Sequence, residues 1–311
     1  MNINDTNIRH AIAYAKAQTA LHSKSFYLST QFLPKEKRLP TFALYSFCRY
    51  ADNIVDNPRN RTTDELTAEI EYLKYELAVA YRSGESEHPI LKAFIPSALA
   101  YNIPLRYPLE LLDGVKLDLL KNRYQSFAEL YHFAYAVAGV VGIMMSYIIG
   151  FSDPAALNYA EKLGVAMQLT NILRDIQEDK NMNRIYLPLD EVRQFGLDEK
   201  DFFKETFNDA MRQLVRYQVE RAHRFFIEAD NGIPMLSRDG RFAVKAASRI
   251  YRGILSEIEK RDYNPFLGRV FVAQSRKFAI LLQEFLRTNL FPRRQTSPVF
   301  PQPVAGGAKH S

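Results

Sequence analysis

The sequence predicts an all-α fold, and three observations carry that prediction. Asn171, Asp175 and Asp179 recur every fourth residue within Gln168 to Asp179, and Asp52 and Asp56 repeat the spacing within Arg49 to Asp56. Side chains four apart stack along one face of a helix. Helix-opening signals recur at Thr62-x-x-Glu65, Ser126-x-x-Glu129 and Asp153-Pro154. No alternating strand pattern interrupts the series.

Taken in order, Ile8 to Leu21 reads as an amphipathic helix. His22-Ser23-Lys24-Ser25-Phe26 follows, where donors at a helix end suit an anion about as well as they suit a plain polar turn. After Pro34 and Pro40 comes the first Asp helix, ended by Asn57-Pro58. The box at Thr62 opens a helix to about Tyr81, Gly84 and Pro89 bracket a turn, and further helices run from Pro89 towards Tyr101 and from Pro108 to Leu120. Ser126 opens the most apolar helix of the chain, and Asp153-Pro154 opens the long helix that carries Asn171, Asp175 and Asp179. Arg184-Ile185-Tyr186-Leu187-Pro188 ends that unit, and helices are expected in the regions 200–229, 240–262 and 265–288.

Composition sets the frame for these helices. Of 311 residues 47% are hydrophobic, enough for a large core. Residues 1–290 are expected to form one domain, because Asp56 and Asp175 must meet if both ladders serve one cluster of ions. The tail 291–311, with Arg293, Arg294 and several Pro and Gly, lacks apolar periodicity and is expected to be disordered. The 41 Lys and Arg against 35 Asp and Glu give +6, compatible with anionic ligands or a peripheral position at the inner membrane surface. No zinc-finger, RNP or basic-region signature points to nucleic acid. Cys48, the only cysteine, excludes an internal disulfide and reads as an apolar core thiol; with no signal pattern in Met1 to Asp5, a cytoplasmic location is expected. Phe133 to Ser152 contains no charge, long enough to span a bilayer, but its glycines, tyrosines and lack of flanking Lys or Arg favour a buried central helix.

The chemistry rests on the two ladders. One D-x-x-x-D alone is more often a solvated helix face. Two of them, each on an apolar helix and each accompanied by an arginine (Arg49, Arg174), point to a magnesium clamp on diphosphate, since magnesium takes a few carboxylates together with phosphate oxygens. Manganese is an admissible substitute. Glu85-x-x-His88 and Glu129-x-x-His132 resemble di-iron ligand pairs, but the first lies in a turn and Glu129 already serves a helix cap. No Gly-rich nucleotide loop is present, and NADPH is not expected. The 18 Tyr and 21 Phe are read first as core, with a carbocation-facing cavity wall as the alternative.

Together these pieces resemble the squalene/phytoene synthase family. The matching stretches are His22 to Phe26, Ala43 to Arg49 leading into Asp52 and Asp56, Val137 to Gly142, Gln168 to Asp179 with Arg184 to Pro188, Arg249 to Tyr251 and Arg269 to Val272, in the family order. The resemblance implies the isoprenoid-synthase helical bundle around a deep apolar cavity. It implies Asp52, Asp56, Asn171, Asp175 and Asp179 as magnesium ligands, with Arg49 beside them in the catalytic set. It implies Lys24, Ser25, Gln168, Arg174, Tyr251 and Arg269 at the diphosphates, His22 and Phe26 at the entrance, and Val137, Gly139 and Gly142 where the central helix leaves room for a prenyl chain. Two positions depart from the pattern: Asn53 stands where the family has a second Asp, and Phe133 where it has Tyr, so a hydroxyl role there is lost or passes to Tyr135.

The implied activity is head-to-head condensation of two geranylgeranyl diphosphates to phytoene through a cyclopropylcarbinyl diphosphate. The alternatives are squalene or dehydrosqualene synthesis from farnesyl diphosphate, and a non-catalytic relative acting as a binding or assembly protein. The intact Asp pairs speak against the last.

Overall fold

The computed structural model of the chain describes residues 24–290 and, ahead of them, Ala13, Lys16, Ala17 and Thr19; for Lys24, Ser25 and residues 287–290 it describes the backbone alone. His22, most of the expected helix Ile8 to Leu21, and the tail from 291 lie outside the described residues. The architecture is all-α. Extended pairing among the described residues is limited to two isolated bridges, Arg123 to Ile185 and Phe151 to Leu236.

The short α1 (Lys24–Thr30) leads into α2 (Lys35–Asp56), the first Asp helix. Pro40 lies inside α2 and cannot donate to the Glu36 carbonyl; the Tyr101 hydroxyl donates to that carbonyl instead, at 3.1 Å. The next helices are α3 (Thr63–Ser83), α4 (Pro89–Ala100) and α5 (Arg106–Leu120). At α3 the capping box is complete: the Thr62 hydroxyl accepts from the Glu65 amide, the Glu65 carboxylate accepts from the Thr62 amide, and Gly84 closes the helix at φ 81°.

The apolar helix α6 (Phe127–Ile149) contains one π turn at Tyr135–Gly139. It packs inside the fold between α5 and α7 (Ala156–Arg174). The rest of the chain forms α8 (Ile176–Asn181), α9 (Leu189–Gln194), α10 (Glu199–Phe203), α11 (Asp209–Asp230), α12 (Arg238–Lys260) and α13 (Gln274–Leu290).

The two largest apolar cores among the described residues are joined through α6. One gathers α2 to α5 and the second half of α6, with Phe47 stacked on Phe94 at 4.5 Å. The other gathers α7, α9 to α12 and the first half of α6, around Tyr124, Met211 and Phe226. Glu191 and Arg221 pair at 2.5 Å within the second core, and the Gln218 amide also donates to Glu191. The backbones of α6 and α7 approach so closely that a Cβ on Gly142 would lie 2.3 Å from the Ala160 carbonyl oxygen, and one on Gly164 would lie 2.1 Å from that of Ala138.

Five expectations need correction. The long Asp helix is broken at Asp175, whose φ and ψ of −106° and 12° separate α7 from α8; Asp175 N–H still donates to Asn171 O at 2.9 Å. That helix does not begin at Pro154: Asp153 closes a tight turn on Ala155 N–H at 2.8 Å, and α7 starts at Ala156. Ser126 caps α6, but the Glu129 carboxylate reaches past it to Gln125 N–H and Lys121. The region 200–229 is two helices, divided where Glu205 adopts φ 54° and Asn208 caps α11. The helix expected from 265 begins at Gln274, because Asp262 and Tyr263 turn left-handed and the stretch with Pro265 and Gly268 (φ 75°) is turn and irregular backbone.

Candidate active site

An apolar cavity of about 310 Å³ lies between α2, α6, α7 and α12 and opens beside the Asp ladders. Its wall along α7 is a stripe of Ala156, Ala160, Leu163, Met167 and Asn171, at the spacing of one helix face. Asp52 on α2 and Gln168 and Asn171 on α7 reach the same end of it, with Tyr45 and Tyr251. The C-terminal ends of α2 and α7 thus bring both ladders to one mouth.

At that mouth arginines hold the carboxylates. Arg174 binds Asp175 through two hydrogen bonds of 2.7 and 2.6 Å, and Arg269 binds the same carboxylate at 3.0 and 3.3 Å. Arg49 pairs with Asp56 at 3.4 Å. Arg269 arrives on the irregular segment before α13, which is fastened by Gly268 N–H donating to Gln177 at 2.8 Å and by Arg261 on the Leu267 and Gly268 carbonyls. Burial works against the Arg174 charge, and its bonds to Asp175 more than offset this.

Other acids lack that compensation. Asp52 is half-buried at the cavity; burial and then Asp56 push its carboxyl up to about 7, against the pull of Arg49. Burial and then Asp175 push Asp179 up to about 8, against Arg184. Both also feel Asp118 on α5, a residue that the spacing argument did not select. Asp118 is raised by burial, is itself raised by Asp56, and is held by Arg184 at 3.5 Å and the Tyr186 hydroxyl at 2.6 Å. It is the acid that links the two ladders electrostatically. The only sequence signal for it is an aspartate inside the apolar run Leu117 to Leu120.

The donor set fits a hard divalent cation. It is all oxygen, and Asn171 Oδ1 is buried with no hydrogen-bond partner while its amide nitrogen donates to Gln168 at 3.3 Å. Arg49 Nε is likewise a buried, unpartnered donor, suited to a phosphate oxygen. Among the described residues no three Asp, Glu, His or Cys side chains close on one point. The fit is therefore to ions completed by ligand oxygens and water rather than to an all-protein cage.

The remaining expected residues divide as follows. Phe26, Val137, Gly142, Gln168 and Tyr251 line the cavity, and Phe26 stacks on Tyr45 at 5.1 Å. The side chains of Lys24 and Ser25, and all of His22, lie outside the described residues. Gly139 does not line the cavity; its missing side chain faces Tyr135 and Glu161. Gly142 lines it, but the space its missing side chain leaves is taken by the α7 backbone. Tyr135 donates to Glu110 at 2.6 Å and is not among the cavity-lining residues, so it does not replace a hydroxyl at Phe133, which stacks on Tyr186 at 5.4 Å. Cys48 lines the cavity rather than the solid core, and burial pushes its thiol well up, which leaves it a poor nucleophile.

Known proteins share this arrangement. The squalene/phytoene synthase family model matches residues 19–276. A 15-cis-phytoene synthase of Synechococcus elongatus is 36% identical over 88% of this chain and 91% of its own length. Phytoene synthase 2 of Solanum lycopersicum is 34% identical over 90% of this chain and 91% of its own. Among solved structures, a dehydrosqualene synthase in complex with ligand superposes with a TM-score of 0.82 at 28% identity, covering 91% of this chain and 98% of that one. A squalene synthase from Alicyclobacillus acidocaldarius reaches 0.76 at 24% identity over 83% of this chain and 97% of that one, a likeness of fold. With the helices, the cavity and the paired ladders in place, the match over most of its length makes this chain a prenyltransferase of the squalene/phytoene synthase family.

Proposed function

We propose that the chain joins two geranylgeranyl diphosphates head to head to form phytoene, with magnesium as the metal. The observation that carries the chain length is the cavity wall on α7. From Ala156 to Asn171 it extends about 22 Å at about 1.5 Å per residue. With carbon–carbon bonds of about 1.5 Å, an extended geranylgeranyl chain is about 19 Å long and a farnesyl chain about 14 Å. The longer chain covers the wall, whereas the shorter leaves roughly a third of it bare. The phytoene synthases matched above support the same reading.

In this reading Arg49, Arg174 and Arg269 orient the diphosphates, their forked donors matching phosphate oxygens. Asp52, Asp56, Asn171, Asp175 and Asp179 hold magnesium, which when bound neutralises charge on the departing diphosphate. The apolar stripe keeps water from the allylic cation formed at the donor's first carbon. Tyr45 and Phe26, stacked on each other, are the aromatic residues of the cavity wall that would stabilise a cation brought against them. Attack by the acceptor's double bond, with ring closure and loss of a proton from the donor's first carbon, gives the cyclopropylcarbinyl diphosphate; loss of its diphosphate, rearrangement and loss of a second proton complete phytoene. Burial pushes the Tyr45 hydroxyl up to about 12, so it stays protonated at neutral pH.

The dehydrosqualene synthase among the solved relatives keeps the fifteen-carbon reading as the rival. Purified protein given each diphosphate with magnesium separates the two. A forty-carbon, unreduced product unaffected by NADPH is expected, and preferential formation of a thirty-carbon product refutes the proposal.

A further inference from the structure

Gln177 lies midway between Asp175 and Asp179, and so off the helix face that those two share. Its side chain turns instead to the segment that delivers Arg269. The Gln177 amide oxygen accepts from Gly268 N–H at 2.8 Å, across 91 residues of chain. Its amide nitrogen donates to Glu205 at 3.3 Å, and Glu205 pairs with Lys180 at 2.6 Å. A carboxylate only accepts, so Glu205 fixes which end of the Gln177 amide faces Gly268. From the other side Arg261 donates to the Gly268 carbonyl at 2.7 Å. Both backbone polar groups of the residue just before Arg269 are therefore held by side chains.

Just after Arg269, Val270 and Val272 are buried in the core that gathers α7 and α11, while Arg269 and Phe271 are exposed. Apolar burial has no direction, so the two valines seat the segment without fixing how far Arg269 reaches. The hydrogen bonds at Gly268 are directional and do fix it. A long side chain is placed only as well as the backbone that carries it. We propose that Gln177 is a positioning residue: it holds Gly268 so that Arg269 stands beside Asp175 at the diphosphate end of the cavity, and it makes no contact with diphosphate itself. The inference rests on the reading of Arg269 as a diphosphate ligand and adds what places that ligand. It also ties Arg269 to α8, the helix that carries Asp179.

The test is calorimetric titration of the full chain with inorganic diphosphate in magnesium buffer. Arg269→Gln should weaken binding at least about tenfold, the loss of one charge-assisted contact. Gln177→Ala should weaken it about three- to tenfold in the native background, and by less than about twofold where Arg269→Gln is already present, because it acts through that arginine. Arg261→Ala, which frees the Gly268 carbonyl, should show the same dependence on Arg269. Thermal melts confirm that each variant is folded. Equal losses from Gln177→Ala in the two backgrounds mark a merely structural effect and overturn the proposal. So does unchanged binding in Gln177→Ala while Arg269→Gln weakens it. Indifference to Arg269→Gln itself refutes the reading of Arg269, and the proposal with it, and that single variant tells this outcome from the other two.

Discussion

Asp52→Asn should make the metal-free protein more stable while removing its activity. The carboxyl stands at about 7 in the fold against an ordinary 3.8, with burial as the main cause and Asp56 next. Between those values the folded chain keeps a proton that the unfolded chain has released. Stability therefore falls as pH rises through that window, and the full cost is present above about 7. At about 1.4 kcal/mol per tenfold change the difference is roughly 4 kcal/mol. Because the cavity admits water, an effective gain of about 2 kcal/mol near pH 8 is the reasonable figure, with less than half of that at about pH 5. At about 2.1 cal/mol/K of unfolding entropy per residue, the 311-residue chain converts 2 kcal/mol into about 3 °C. Thermal melts of wild type and variant in chelator, at both pH values, read this directly. Magnesium with inorganic diphosphate should then raise the melting temperature of the wild type more than that of Asp52→Asn, and turnover should fall at least about a hundredfold. An equal gain at both pH values, or no gain near pH 8, would refute the claim that uncompensated charge at the mouth is held against the stability of the fold.

The other predictions follow from single contacts. Asp175→Asn should leave helical content unchanged by circular dichroism yet lower turnover at least about a hundredfold, and chelator should abolish wild-type activity until magnesium is restored. Gly142→Val should cost about 1–3 kcal/mol in a denaturant titration, because the new side chain meets the Ala160 carbonyl and drives α6 from α7. Glu191→Ala should cost about 3–5 kcal/mol in the same assay by leaving the Arg221 charge buried and unpaired. Apparent magnesium affinity, followed by calorimetry with inorganic diphosphate, should weaken as pH falls from about 8 to about 6, because the raised Asp179 and Asp52 carboxyls must lose protons to bind it.

What the sequence determined by itself is what one or two helical turns can encode. The four-residue spacing of Asp52 with Asp56, and of Asn171 with Asp175, put each pair on one helix face. Thr62 and Glu65 announced the start of α3, and the uncharged run from Phe133 announced a helix that packs within the fold. These signals are legible because both partners lie within a few residues of each other. The tertiary structure alone decided what depends on distant partners. The break at Asp175 lies where Arg174 and, from 94 residues away, Arg269 converge on one carboxylate, and that reach needs residues 264–273 out of helix where periodicity predicted one. Asp118 joins the two ladders through a helix with no repeat to mark it. Gly142 reads as room for a ligand in the sequence and becomes a contact between backbones in the fold. Local periodicity fixes which face a side chain occupies, but only the packing of one helix on another fixes what that face meets.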